Sequence, residues 1–306
     1  MRKTLCLLAC IAITAIGRTA EQPPAFNLVL VDMQGNKKVL GNLPDSVFAP
    51  RISPDGKQVA FELRDAPTAS QTDLPLQRLY VADLERVDQR RALPFTAPAQ
   101  QNYAPIWSPD GKRLVYLVAG AKPDALYWRR ADGTGEAEHL LDARAAEGMY
   151  EGGRLSFITL TGNRDYGIGI LDINARAVTR LVDYPNSEQH SSRIAPGGRW
   201  FAYVSNETGR QEVWIEPLPQ SGKRYQLTKT GGRHPEWSPD GRTLYFDQGN
   251  QMFRVDISTA AETPKIGEPV ELPIRGFQQG DLRRQYDLMP DGKGFVMLFP
   301  IARPAQ

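Results

Sequence analysis

Short apolar segments separated by turn-forming residues make up almost the whole chain. Residues 112–117 begin with two basic side chains and continue as a run of four apolar and aromatic ones, which predicts a β-strand. Residues 79–83 and 252–256 are runs that, apart from Arg254, consist of apolar and aromatic side chains and each end in an aspartate. Runs of this length, bounded by glycine, proline and other turn residues, predict strands. The pattern therefore indicates an all-β protein built from many short strands.

One turn sequence recurs between these strands. Ser-Pro-Asp-Gly occurs three times, ending at Gly56, Gly111 and Gly241. Weaker copies are Ala195-Pro196-Gly197-Gly198, Met289-Pro290-Asp291-Gly292 and Tyr150-Glu151-Gly152-Gly153. Proline presets the first central position of a type I turn, aspartate can bond to the backbone beyond it, and glycine takes the left-handed position that closes a bulged hairpin. The six copies predict six hairpins of one kind.

The residues around each copy repeat as well. The fourth residue before the last glycine is always apolar (Ile52, Trp107, Met149, Ile194, Trp237 and Leu288), and the residue after it is always basic (Lys57, Lys112, Arg154, Arg199, Arg242 and Lys293). The glycines are 55, 42, 45, 43 and 51 residues apart. A period in the forties filled with short strands is characteristic of propeller blades. The repeat predicts a six-bladed β-propeller of four-stranded antiparallel blades.

The two ends of the chain supply complementary halves of one blade. Residues 26–32 and 37–40 match the third and fourth strands of the repeat, whereas residues 285–288 and 294–299 match the first and second. Pairing the halves would satisfy strand edges that are otherwise exposed. We therefore expect the N-terminal strands (26–43) to complete the C-terminal blade (285–299) and to close the ring.

Two stretches exceed the period of the repeat. Residues 66–75 lie within the first complete blade, and residues 259–279 contain three prolines before the last blade; both are expected to be loops. Loops on a rigid scaffold are where binding specificity tends to reside. No linker divides the chain after the first 20 residues, so residues 21–306 are predicted to form a single domain.

Residues 1–20 have the layout of a secretory signal peptide. Two basic residues precede an apolar run over residues 5–16, and small residues follow, with cleavage expected after Gly17 or Ala20. A lipoprotein signal that ends at Cys10 is the alternative. Because both cysteines lie in this segment, the exported chain would be stabilised by its core without disulfides. We expect a periplasmic or secreted protein that does not span the membrane.

Composition narrows the range of partners. The chain is 24% charged and 41% hydrophobic, as in ordinary soluble globular proteins. Its formal charge of +2 becomes about −1 without residues 1–20, which carry three basic and no acidic side chains. This balance does not point to nucleic acid or to an anionic membrane surface. A monomer is expected.

The motifs resemble those of the TolB-like propellers built from WD40-like (PD40) repeats. The match is best over residues 193–256, which include Tyr203-Val204-Ser205-Asn206-Glu207 and His234-Pro235-Glu236-Trp237-Ser238-Pro239-Asp240-Gly241, and it extends over residues 26 to about 300. The resemblance implies a TolB propeller without the N-terminal α/β domain of TolB. TolB is a periplasmic protein that works with a peptidoglycan-associated lipoprotein and other envelope components, so the resemblance implies an envelope setting.

Candidate catalytic chemistry is sparse. The three histidines, His139, His190 and His234, do not form a metal-binding pair, and there is no Gly-x-Ser-x-Gly elbow or glycine-rich phosphate loop. The turn aspartates are interpreted as structural, because each can accept bonds from its own turn. No cofactor is expected; a divalent cation near Glu236 and Asp287 is the alternative.

The remaining candidate is the rim of the central channel. In a propeller the first strand of each blade lines the axis, so the residues before the turns converge there. Nine of them are predicted to form a ligand-binding or partner-binding rim: Arg51, Tyr103, Tyr150, His190, Arg193, His234, Glu236, Arg284 and Asp287. Their mixed charge and aromatic character suit a ligand or peptide site. The alternative is that they satisfy one another around water.

These observations predict an exported binding module. It would receive a small ligand, or a segment of an envelope or periplasmic protein, at one mouth of the channel. A propeller enzyme of the lactonase, hydrolase or polysaccharide-lyase type, with a metal or a histidine–acid site over the axis, is the first alternative. An assembly factor with no small ligand is the second.

Overall fold

The structure is a computed structural model that describes residues 24–44, 46–64, 76–96, 100–120, 123–160, 166–261, 263–280 and 282–301. Within these ranges the chain forms 25 strands and one short 3-10 helix, Val87–Gln89. The strands form six antiparallel sheets that are arranged as the blades of a ring. The predicted six-bladed propeller is therefore confirmed.

The strands follow the repeat in chain order. Blade one contains β3 (Val47–Ile52), β4 (Gln58–Arg64), β5 (Gln77–Asp83) and β6 (Arg91–Ala92); blade two contains β7 (Gln101–Trp107), β8 (Arg113–Ala119), β9 (Ala125–Arg130) and β10 (Glu138–Asp142). Blade three contains β11 (Ala145–Tyr150), β12 (Arg154–Leu160), β13 (Tyr166–Asp172) and β14 (Ala177–Val182); blade four contains β15 (Gln189–Ile194), β16 (Trp200–Ser205), β17 (Glu212–Pro217) and β18 (Tyr225–Gln226). Blade five contains β19 (Arg233–Trp237), β20 (Thr243–Gln248), β21 (Gln251–Ser258), β22 (Lys265–Ile266) and β23 (Val270–Arg275).

Blade six is assembled from both ends of the described chain. It contains β24 (Tyr286–Leu288) and β25 (Gly294–Pro300), followed across the sheet by β1 (Pro24–Asp32) and β2 (Lys37–Pro44). Strand β1 pairs with β25 from Phe26 opposite Pro300 to Asp32 opposite Gly294. This pairing satisfies the edge of β25 and joins the first blade to the last. The predicted closure of the ring is confirmed.

The turns have the predicted hydrogen bonds. In blade one the Ser53 hydroxyl donates to Asp55 Oδ1 at 2.6 Å, and that oxygen accepts the Lys57 backbone N–H at 3.1 Å. Gly56 has φ of 72°, in the left-handed region that glycine adopts without strain. The same two bonds recur in the turns of blades two and five. The structural interpretation of these aspartates is therefore confirmed.

The turns also pack head to tail around the ring. A Cβ atom on Gly111 would lie 3.6 Å from the ring of Pro54 in the preceding blade, and one on Gly241 would lie 3.6 Å from Pro196. Pro239 and Pro290 occupy the same position against the next turns. The degenerate turn of blade three has no proline, and the nearest atoms to Gly153 belong to its own blade. The circle of proline contacts is interrupted there.

The core lies between neighbouring blades. Buried apolar side chains form six clusters, most of which join one blade to the next. Two tryptophans before the turns add a polar link, because Trp107 donates its indole N–H to Arg51 O at 2.9 Å and Trp237 donates to Arg193 O at 3.1 Å. At these two positions, the side chain that packs between blades also bonds to the backbone of the innermost strand of the preceding blade.

One predicted loop contains strands. Within residues 259–279, β22 and β23 both pair with β21, so blade five has a divided outer strand. The loop prediction was wrong here because Leu272 and Ile274 alternate with exposed neighbours and bury their side chains, despite the prolines around them. The insertion at 66–75 and the predicted signal peptide at 1–20 lie outside the described residues. Among the described residues, no helix has the length and apolar character needed to cross a membrane.

Candidate functional site

The innermost strand of each blade lines the central channel. These strands are β3, β7, β11, β15, β19 and β24, and each ends at its turn. The residue five positions before the last turn glycine occupies an equivalent place in every blade, and these residues are Arg51, Ile106, Gly148, Arg193, Glu236 and Asp287. Four of the six are charged. The repeat itself therefore concentrates charge at one level of the axis.

An ion-pair network occupies this level. Arg193 Nε lies 2.9 Å from Glu236 Oε2, and Arg284 forms an ion pair with the same carboxylate. Arg284 Nη2 lies 2.5 Å from Asp287 Oδ1, while the other Asp287 oxygen accepts the Ile52 backbone N–H at 2.8 Å. Each of the two carboxylates is thus paired with at least one guanidinium. Such charge-assisted bonds are strong where water is excluded.

Arg51 differs from the other two arginines. Its Nη1 atom donates to three backbone carbonyl oxygens, those of Pro50, Arg284 and Tyr286, at 2.7, 3.0 and 3.4 Å. In the described part of the chain no carboxylate lies within ion-pair distance of it. Burial lowers the pKa of Arg51 to about 10, and the attraction of Asp287 opposes this shift. Only 7% of the residue is exposed.

Four inner strands contain a bulge with a left-handed residue next to this level. Ala49, Ala104, Ser191 and His234, each seven residues before the turn glycine, have φ between 49° and 58°. This left-handed region is uncommon for residues other than glycine, asparagine and aspartate. Such strained positions cluster at functional sites when the surrounding structure fixes them. Bulges of this kind bend the strand and re-aim the side chains beside them.

Side chains of the preceding blade hold three of the bulges. Gln285 Oε1 accepts the Ala49 N–H at 2.9 Å, and Glu62 Oε1 accepts the Ala104 N–H at 2.7 Å. The Glu147 carboxylate accepts the N–H groups of Ser191 and Ser192 and the Ser192 hydroxyl. Burial raises the pKa values of both Glu62 and Glu147, although the bonds to them oppose the shift.

Sequence reasoning missed these buried acids. Glu62 lies between Phe61 and Leu63 on an otherwise apolar stretch of β4, and Glu147 lies between Ala146 and Gly148 on β11. A single acid within a buried strand is the signal that could have found them, because such a group requires partners. Their partners come from the next blade and depend on the bulges, which the sequence pattern does not reveal.

A cavity opens at the end of the channel away from the turns, and we call it the loop-side cavity. It encloses about 310 Å³, and its apolar wall includes Ile106, Leu117, Ala119, Ala145, Ala146, Ile158 and Leu282. The Arg283 guanidinium lies 4.7 Å from the centre of the Tyr103 ring, and Arg283 Nη1 is 2.8 Å from Glu62 Oε2. An aromatic ring, a partly exposed cation and an apolar wall thus surround one opening.

A second, wider cavity opens on the turn side, and we call it the turn-side cavity. It encloses about 620 Å³ and is bordered by the interrupted turn of blade three. The Tyr150 hydroxyl accepts the Ile194 N–H of blade four at 3.1 Å. A Cβ atom on Gly148 would lie 2.2 Å from that hydroxyl, so glycine leaves the space that Tyr150 occupies. Five residues line both cavities and define the pinch between them: Arg51, Ile106, Glu147, Arg193 and Arg284.

The two predicted histidines have different surroundings. His190 is 1% exposed, lies 2.9 Å through Nδ1 from the Ser191 hydroxyl and lines neither cavity. Burial lowers the pKa of His190 to about 3, so its ring is neutral. His234 lines the loop-side cavity, and its Nδ1 lies 2.8 Å from Asp247 Oδ1, which also accepts the Tyr286 hydroxyl at 3.0 Å. His234 is therefore oriented by a buried acid.

The structure distributes the nine predicted residues over three places. Arg51, Arg193, Glu236, Arg284 and Asp287 converge around the pinch; Tyr103 and His234 line the loop-side cavity; Tyr150 lines the turn-side cavity; and His190 lies in the wall. The pairing of Glu236 and Asp287 with arginine does not favour a cation between them. Across the described ranges, no group of three or more potential metal-ligating side chains comes together.

Comparison with known proteins agrees with this fold. No protein-family model matches the chain. A putative TolB from Agrobacterium tumefaciens has a TM-score of 0.68 at 17% identity, covering 92% of this chain and 99% of that one. TolB from Acinetobacter baumannii has a TM-score of 0.57 at 19% identity, covering 81% and 66%. Oligogalacturonate lyase from Vibrio parahaemolyticus has a TM-score of 0.55 at 13% identity, covering 89% and 79%.

These identities establish the fold alone. The chain has the propeller fold of the TolB structures, as its motifs predicted, and an enzyme shares that fold. Function must therefore be argued from the residues at the axis.

Proposed function

We propose that this chain is a periplasmic binding module that receives a segment of an envelope or periplasmic protein in the loop-side cavity. The observation that carries the proposal is the cavity itself, where an apolar wall meets Tyr103, Arg283 and three of the four strained bulge residues. Sites for ligands are typically concave and apolar, with a few placed polar groups. The leader-like first 20 residues and the likeness to TolB propellers support the compartment.

The dimensions of the cavity suit a short segment. A volume of about 310 Å³ is near the lower end for ligand sites, so one or two side chains of a partner would fill it. Leu282 is 43% exposed at the opening and offers an apolar contact. The formal charge of the exported chain is close to zero, so shape and local contacts would select the partner more than long-range attraction. We propose a monomer, which light scattering would test.

Site-directed photocrosslinking in the native host tests this proposal. A photoreactive amino acid replaces Leu282 at the opening, and the matched control replaces Val178, an apolar residue of outer strand β14 that is 57% exposed. The proposal predicts a discrete adduct with an envelope or periplasmic protein from position 282 and none from position 178. Identical adducts from both positions, or none from either, would contradict it.

The second candidate function is catalysis, and the orientation of His234 by Asp247 favours it. A histidine held by a buried carboxylate at a cavity is a common general acid–base arrangement. One protein of this fold is an oligogalacturonate lyase, so a carboxylated oligosaccharide is the substrate to assay, with and without Mn²⁺. An activity lost in His234→Asn and retained in His139→Asn, which changes an exposed histidine paired with Asp142, would favour this candidate over the binding module.

A further inference from the structure

The charges at the pinch do not pair evenly. Three guanidinium groups meet there, from Arg51, Arg193 and Arg284, and the paired carboxylates are those of Glu236 and Asp287. Arg193 and Arg284 hold these two acids, which leaves Arg51 without an ion-pair partner among the described residues. A buried charge without a partner is costly. Arg51 is therefore a buried guanidinium at the pinch to which no carboxylate of the described residues is paired.

Two other buried acids close to the axis, Glu147 and Glu62, already have partners. The Glu147 carboxylate accepts three donors from Ser191 and Ser192, and Arg193 donates to its backbone carbonyl oxygen. The Glu62 carboxylate accepts Arg283 Nη1 at 2.8 Å and the Ala104 N–H at 2.7 Å. Neither carboxylate makes a hydrogen bond with Arg51. Neither acid is free to rotate onto Arg51, because each is held by donors of a neighbouring blade.

The hydrogen bonds of Arg51 are also incomplete. A guanidinium carries five N–H groups in a fixed fork, and only Nη1 of Arg51 donates to an acceptor. Its buried Nε has no acceptor, and neither has Nε of Arg284, a residue that is 5% exposed. Buried donors are rarely left unpaired. These two unpartnered donors, on side chains that line both cavities, indicate that an acceptor belongs at the pinch.

We propose that the pinch binds one carboxylate group of a ligand through Arg51, with Arg284 beside it. This inference rests on the proposed function, since the carboxylate would enter through the loop-side cavity and its parent molecule would fill that cavity. One guanidinium without a paired carboxylate among the described residues, with an unpartnered Nε, matches one carboxylate of a ligand. The planar guanidinium fork fits that group with two parallel hydrogen bonds, after a small turn of the Arg51 side chain presents its free edge.

Three sources can supply this chemistry: the C-terminus of a peptide, an acidic side chain or a small carboxylic acid. Isothermal titration calorimetry on the purified protein separates them. The probes are Ac-Ala-Ala with a free C-terminus, Ac-Ala-Asp-Ala-amide and succinate, and each is matched by an uncharged partner, respectively Ac-Ala-Ala-amide, Ac-Ala-Asn-Ala-amide and succinamide.

The matched variants are Arg51→Gln and Arg113→Gln. Arg113 lies on β8, pairs with Glu138 at 2.8 Å and lines neither cavity, so its change controls for the loss of one arginine. We expect at least one carboxylate probe to bind the native protein about tenfold or more tightly than its uncharged partner, as charge-assisted hydrogen bonds imply. Arg51→Gln should remove this preference, and Arg113→Gln should keep it.

A second measurement guards against misfolding of Arg51→Gln. The thermal midpoint of the native protein should rise with succinate and not with succinamide, and the midpoint of a folded Arg51→Gln protein should respond equally to both. Equal affinity for charged and uncharged probes overturns the inference and leaves the proposed function standing. Binding of none of the probes overturns the inference, and only an additional loss of the position-282 adduct would bring down the proposed function.

Discussion

Blades five and three stabilise their turns and contact blade four through different residues. In blade five, Ser238 and Asp240 brace the turn and Trp237 donates to the backbone of blade four. Blade three instead has two consecutive left-handed glycines in its turn, with φ of 75° and 76°, and Met149 in place of tryptophan.

Blade three is joined to its neighbour at the axis. The Glu147 carboxylate and the Tyr150 hydroxyl both accept backbone N–H groups of blade four. The same stretch lines the turn-side cavity and contributes to the pinch. The comparison teaches that the regular turn motif determines the fold, whereas blade three, whose turn lacks the motif, contacts its neighbour through polar side chains at the axis.

The largest expected effect concerns the residue before the turn. Trp237→Ala removes a buried indole and its bond to Arg193 O, so the free energy of unfolding should fall by about 3–5 kcal/mol. Met149→Ala removes a partly buried side chain and should cost about 1–2 kcal/mol. Urea unfolding measures both. Equal losses would show that the two blades do not differ in this way.

A smaller effect concerns the dependence of stability on pH, which should have opposite sign for an acid in each of the two blades. Burial raises the pKa of Glu147 above its ordinary value of 4.5, so its contribution to stability is present below that pH and is lost as the pH rises through the raised pKa. The Ser238 hydroxyl and the Arg242 N–H lower the pKa of Asp240 below 3.8, so its contribution is present above 3.8 and is lost as the pH falls through the lowered pKa.

Glu147→Gln should therefore flatten the fall in stability above pH 4.5, and Asp240→Asn should flatten the fall in acid. The change should be larger for the buried Glu147 than for the exposed Asp240, whose interactions are screened by solvent. Urea unfolding at a series of pH values below 3.8 and above 4.5 measures how the free energy of unfolding of each variant depends on pH. If both substitutions changed the dependence of stability on pH in the same direction, the opposite roles of Glu147 and Asp240 would be refuted.

The smallest effect concerns the turn itself. Asp240→Ala removes acceptors for a hydroxyl and a backbone N–H on the protein surface and should cost about 1 kcal/mol. Glu151→Ala, at the equivalent turn of blade three, should change stability by less than about 0.5 kcal/mol, because the Glu151 side chain makes no hydrogen bond to the described residues. Thermal unfolding compares the two; a larger cost for Glu151→Ala would contradict the account.

The fold could be predicted largely from the turn motif. Its serine, aspartate and glycine act within a few residues of one another, so local chemistry fixes each hairpin and the spacing fixes the ring. The divided outer strand of blade five escaped prediction, because the pairing of Val270–Arg275 with β21 depends on contacts beyond the local sequence.

The site was predictable only in part. Arg51, Arg193, Glu236 and Asp287 converge because each stands five residues before its turn glycine. The roles of Glu62 and Glu147 could not be predicted, because they depend on the bulges and on contacts between blades. Whether the nine residues bind a ligand stays a prediction.

The most direct test of the central claim, that the pinch takes a ligand carboxylate on Arg51, is the arginine Nε–Hε region of a ¹⁵N–¹H spectrum. The Arg51 signal is assigned by its absence in Arg51→Lys. Addition of succinate should shift this signal, succinamide should leave it in place, and the signal of Arg113 should respond to neither. An Arg51 signal that is unmoved by succinate, or moved equally by succinamide, would contradict the claim.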